Sequence, residues 1–131
     1  MTSQVVSTAA GAAMAQGLLN KLDAGAGTAR LDVYGAGPTF IFSTNLGDPA
    51  GAVVGGSLVL SVPTSSGIAY SGLAPTLAVL YAADGTRLLD LKARLVTDTD
   101  DPADPAAVVV QAAAVAAGAL LRVVSGSIGF A

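Results

Sequence analysis

Thr76-Leu77-Ala78-Val79-Leu80-Tyr81-Ala82-Ala83-Asp84-Gly85-Thr86-Arg87-Leu88-Leu89-Asp90-Leu91-Lys92-Ala93-Arg94-Leu95 is the stretch on which the fold turns. Two runs of β-type sequence flank Asp84-Gly85, a dipeptide that supplies the positive φ angles of a type I′ turn, so the stretch predicts an antiparallel hairpin. In the second run Leu89, Leu91, Ala93 and Leu95 share one face, opposite Asp90, Lys92 and Arg94. One face is dry and the other wet, the mark of a half-buried antiparallel strand.

Working outward, the same period of two recurs. Arg30-Leu31-Asp32-Val33-Tyr34 alternates polar and apolar, Gly35-Ala36-Gly37-Pro38 is a turn, and Thr39-Phe40-Ile41-Phe42-Ser43 follows as a strand. After the loop Asn45–Pro49, a strand is predicted over Gly56–Val62, with Leu58, Leu60 and Val62 on one side and Ser57, Val59 and Ser61 on the other. Pro63 ends it or marks a sheet edge. Downstream, Thr97–Asp104 is a polar loop and apolar sequence resumes at Val108-Val109-Val110. Ala112–Ala117 fits helix and extended structure alike, and Gly118–Ser125 and Ser127–Phe130 read as closing strands.

The N-terminal part changes period. Ser7–Asp23 predicts a helix, capped by Ser7 or Thr8, rich in alanine, with Met14, Leu18, Leu19 and Leu22 as its apolar stripe. Gly25 is placed to terminate it. Residues 1–6 read as an arm. The expectation is one domain over 1–131: arm 1–6, helix 7–23 and a β-sandwich over 28–131. In class it is mainly β, an antiparallel β-sandwich or jelly-roll-like domain of seven or eight short strands with one N-terminal helix.

Composition narrows the function classes. The chain has 131 residues, 53% of them hydrophobic, with a mean hydropathy of +0.67, and contains no His, Cys, Trp or Glu. Metal ligands, general bases and nucleophiles are scarce while material for burial is abundant. Net charge is −3, and the six cations (Lys21, Arg30, Arg87, Lys92, Arg94, Arg122) are scattered, so no nucleic-acid partner is expected. The oiliest stretch, Ala106–Leu121, is shorter than the roughly 20 residues a spanning helix needs, and Met1–Ala13 lacks the features of a signal peptide. No membrane association is expected.

The remaining candidates for chemistry have plainer readings. Asp98, Asp100, Asp101 and Asp104 could offer oxygen ligands to Ca²⁺, but the glycine and bidentate glutamate of an EF-hand loop are missing. A solvated turn, its aspartates capping backbone groups, is the better account. Asp32, Asp48, Asp84 and Asp90 fit strand-face or turn positions, no serine has a histidine partner, and a Ser–Lys pair using Lys21 or Lys92 has nothing to recommend it. The Gly-rich pieces Gly25–Gly27 and Gly51–Gly56 lack the form of a phosphate loop. No enzyme activity, metal or cofactor is expected. Apolar side chains beyond what one small core hides, at Val5, Val6, Val59 and Phe130, are instead the candidate protein interface.

Several pieces also carry a likeness. Leu19-Asn20-Lys21-Leu22-Asp23-Ala24-Gly25-Ala26-Gly27 followed by Ala29-Arg30-Leu31-Asp32-Val33-Tyr34 resembles the "LLDAGAG…LRIYDG" start common among small structural proteins of tailed bacteriophages. Gly56–Ser61, Leu88-Leu89-Asp90 after Asp84-Gly85, and Val123–Ile128 agree in order; the middle of the chain and the acidic stretch Asp98–Asp104 depart from the pattern. The resemblance implies a virion component of β-sandwich or jelly-roll type. The role favoured is a capsid decoration or cement protein, made in the host cytoplasm, that self-associates and clamps the major capsid protein on the outer shell. A tail or head–tail junction subunit is the first alternative; a receptor- or glycan-binding module, for which Tyr70 is the one exposed aromatic candidate, is the second. A small hydrolase comes last.

Overall fold

In the computed structural model, which describes residues 7–130, the hairpin forms as β6 (Leu77–Tyr81) and β7 (Arg87–Leu95), antiparallel, with Leu91, Ala93 and Leu95 buried and Asp90 exposed. Its turn differs from the expected one. Asp84 keeps a negative φ and only Gly85 is left-handed, at +90°. The amide of Gly85 donates to the carbonyl of Ala82 at 2.9 Å, and that of Ala82 to Thr86 at 2.8 Å. This is a three-residue connection, a type I turn closed by a left-handed glycine. The Asp84 side chain favours this turn: its Oδ1 accepts from the Thr86 amide at 2.9 Å, an Asx-type bond made with Asp84 at negative φ.

The helix α1 (Thr8–Leu22) is capped by Ser7, whose Oγ accepts from the Ala10 amide at 3.1 Å. Its buried face is Gly11, Ala15, Leu19 and Leu22, while Met14 is exposed and Leu18 only half-buried. The expected stripe is therefore rotated. Small residues at 11 and 15 let the helix backbone lie close on the sheet, where it packs against β3 (Gly51–Val54) and β4 (Ser57–Leu60). Past its end, Gly25 (φ +115°) lies so close to Asp84 that a Cβ would come within 2.9 Å of that residue's nitrogen, and the Ala83 amide donates to Leu22 at 2.8 Å. Helix end and hairpin turn are thus joined.

The remaining strands are β1 (Arg30–Gly35), β2 (Thr39–Asn45), β5 (Gly67–Ile68), β8 (Val108–Ala112) and β9 (Leu120–Gly129). They form one curled, mixed sheet in the order β2-β1-β6-β7-β8-β9-β4-β3, with β5 paired to β9. The molecule is mainly β, as expected, but not wholly antiparallel. β7 and β8 run parallel, Ala93 opposite Val108 and Leu95 opposite Val110. Alternation reads the same in either direction; direction is decided by the connection, and residues 96–107 are long enough for the return that a parallel pair requires.

Two further departures have local causes. β3 occupies Gly51–Val54, within the glycine-rich piece read as turn punctuation; only Gly55-Gly56 turns, with Gly55 at φ +58°. The two expected closing strands are one. On β9, Leu121 and Val123 point inward, then Gly126 and Ile128, because a bulge opposite Val109–Val110 adds Val124 and shifts the alternation by one. Of the ambiguous piece Ala112–Ala117, Ala112 ends β8 and the rest is turn and irregular structure.

The core is continuous. Leu22 from α1, Leu31 and Val33 from β1, Ile41 and Phe42 from β2, Leu58 from β4, Leu80 from β6, Val108 and Val110 from β8 and Val123 from β9 are fully buried in one cluster. Residues 67–71 bridge β2, one end of the sheet path, to the start of β9. There the Tyr70 amide donates to Ile41 at 2.7 Å and the Ala69 amide to Ala119 at 2.9 Å. No helix among the described residues is long and apolar enough to cross a membrane.

Candidate interaction surface

Two exposed apolar surfaces lie at opposite ends of β9. The first is the outer face of β3 and β4. Val59 stands opposite Ala52 on one side and Ser127 on the other, and is 41% exposed; Val54, on the same face, is more so. β3 ends the strand order, so its outer edge has no strand partner among the described residues. Such an edge is open to strand addition. Of the other candidate interface residues, Phe130 is half-buried against the core, its amide donating to Gly56 at 2.9 Å, and Val5 and Val6 lie outside the described residues.

Of the second surface, only Tyr70 is legible in the sequence as an exposed candidate. Ile68 pairs directly with Leu120, and the two are 60% and 55% exposed. Tyr70, 77% exposed, stands beside them with its ring centroid 5.5 Å from that of Phe40, which in turn meets Tyr34 edge-on at 5.7 Å. The backbone around Tyr70 is tied on both sides: the Ser71 hydroxyl donates to Phe40 at 3.0 Å, and the Gly118 amide donates to Ala69 at 2.8 Å. Sequence alternation could not reveal the Ile68–Leu120 pair, because Leu120 and Leu121 are both apolar and Ile68 lies in the short segment Gly67-Ile68-Ala69-Tyr70.

The polar groups mostly satisfy one another. On the outer face of β1 and β2, the Asp32 carboxylate, the one buried charge among the described residues, accepts from Arg30 Nε at 3.0 Å and from the Ser43 hydroxyl at 2.7 Å. The Arg30 guanidinium also lies 4.3 Å above the Tyr81 ring. Burial, and then the Asp32 charge, push the Tyr34 phenol above its usual value. On β7, Arg87 grips Asp90 with both carboxylate oxygens engaged, at 2.8 and 2.9 Å, which raises the guanidinium's pKa further.

The acidic stretch belongs to the β7–β8 crossover. Asp98, Asp100 and Asp101 accept from the amides of Leu95, Ala106 and Ala103 at 3.3, 3.0 and 3.0 Å. Arg94 donates to the carbonyls of Leu95 and Asp98, and the Lys92 ammonium to that of Asp104. Three of the four carboxylates thus hold backbone amides of the crossover and its flanks, the Asp104 carboxylate lies 3.5 Å from the Lys92 ammonium, and no group of three or more His, Cys, Asp or Glu side chains converges as a metal site among the described residues. Comparison with protein-family models, curated proteins and solved structures finds no match to this chain.

Proposed function

We propose that the chain is a structural virion protein, a capsid decoration or cement protein that docks on the outer surface of the major capsid protein lattice and associates with its own copies there. The observation that carries this reading is the β3–β4 end of the sheet: an unpaired strand edge beside the exposed Ala52, Val54 and Val59. Edge addition supplies backbone hydrogen bonds and the apolar face adds burial, so docking there requires no chemistry, cofactor, nucleic acid or membrane. A sandwich-like, jelly-roll-type body suits this role, and it is supported by the core in which Phe42 of β2 and Leu58 of β4, from distant parts of the strand order, belong to one cluster.

The test is the copy number of the chain in purified particles, with the heat resistance of particles carrying Val59→Asp. Hundreds of copies, and reduced retention of the variant, are expected. A handful of copies assigns the chain to a tail or head–tail junction instead, and its absence from particles overturns the reading.

A further inference from the structure

We propose that the trough beside Tyr70 is a binding site for a neutral glycan. Three surface depressions meet at Ser66. The largest, about 520 Å³, lies between Phe40, Ile68 and Tyr70; one of about 220 Å³ extends along β2 to Asn45, and one of about 290 Å³ extends to Gln111 on β8. Together they make a branched, open trough at the end of the molecule opposite the β3–β4 edge.

Its chemistry is two-sided, as a sugar is. A pyranose presents a C–H face and a rim of hydroxyls. Tyr70 offers an aromatic face to the first, held in position by the Phe40 ring and by the backbone bonds on either side of it, so little ordering cost remains for binding. Ser66, Asn45 and Gln111 are exposed along the branches and can each donate and accept, which matches hydroxyls that do both. No carboxylate lines any of the three depressions, and the single cation, Arg122, lies opposite Gln111 in one branch and lines neither of the other two. A charged saccharide finds no countercharge beside Tyr70. A flat protein partner would leave the concavity and its polar branches unfilled.

This site shares no residue with the β3–β4 surface, so it stands whether or not the chain coats a capsid. The test uses the full chain on a printed array of neutral and sialylated glycans, followed by NMR titration with the best neutral member. Binding to neutral glycans is expected, with amide shifts confined to residues 40–45, 66–70, 111 and 120–122. Tyr70→Ala, and Ser66→Trp, which fills the junction, should each weaken binding at least tenfold, while Val59→Ser leaves it unchanged. Retention of no neutral glycan, or binding untouched by both trough variants, overturns the proposal. So do resonances of the trough that shift with protein concentration alone, which assign it to a second copy of the chain.

Discussion

Leu120 and Leu121 are neighbours with opposite fates: Leu120 stands exposed against Ile68, and Leu121, 3% exposed, enters the core. Leu120→Thr should leave the free energy of unfolding within about 0.5 kcal/mol of the parent. Leu121→Ala should cost about 2–5 kcal/mol through lost burial and a cavity. Urea denaturation of the two variants checks the assignment; a large loss for the Leu120 variant means that the face is covered.

Two glycines should respond to alanine with opposite signs. A Cβ on Gly67 would come 2.9 Å from Cδ2 of Phe42, a buried ring with no room to retreat, and Gly67→Ala should destabilise by about 1–3 kcal/mol. Gly17 lies in α1 with nothing within 4 Å of its Cβ position, and Gly17→Ala should stabilise by roughly 0.5–1 kcal/mol. Thermal unfolding distinguishes the two directly.

The parallel return depends on Arg94. Its buried Nε faces the Asp100 carboxylate at 3.6 Å while Nη1 reaches the carbonyls of Leu95 and Asp98. A lysine has one ammonium and no fork. Arg94→Lys should therefore destabilise by about 1–2 kcal/mol, in line with loss of charge-assisted bonds. Faster amide hydrogen exchange should appear first at Ala103 and Ala106, whose amides the crossover aspartates hold.

Tyr34 sets an alkaline limit. Its folded-state pKa is raised, so the neutral phenol is the favoured form in the fold. The stability it contributes is fully present below the unfolded value of 10.0 and is lost as pH rises through the higher folded value. Absorbance titration of tyrosinate should show one late step, absent in Tyr34→Phe. A Tyr34→Phe profile identical to the parent's assigns the late step elsewhere.

What the sequence revealed, and what it hid, follow from the range of each signal. The β6–β7 hairpin was legible because alternation and a turn dipeptide are local. Turn type was not, because the Asp84 carboxylate bonded to Thr86 competes with the backbone geometry that Asp-Gly suggests. The helix was legible, but hydrophobicity pointed to Met14 where packing selected Gly11 and Ala15, since closeness of approach rewards small residues. The bulge at Val124 divided β9 into two apparent strands by changing which residue number faces the core. Strand direction at β7–β8 had no local signal at all. Of the surface, Val59 was legible as an apolar residue among serines, whereas the Ile68–Leu120 pair exists only through a contact between distant segments.

The bulge on β9 has a geometric consequence. Leu120 pairs with β5 and Ser127 with β4, six paired steps apart along one continuous strand once the bulged Val124 is set aside, a strand length of about 20 Å. The bulge takes Val124 out of the alternation, so Leu120 and Ser127, an odd number of residues apart, both face outward. A regular strand of the same sequence would turn one of these two ends inward, so the bulge is what lets a single strand support an exposed apolar surface at each end.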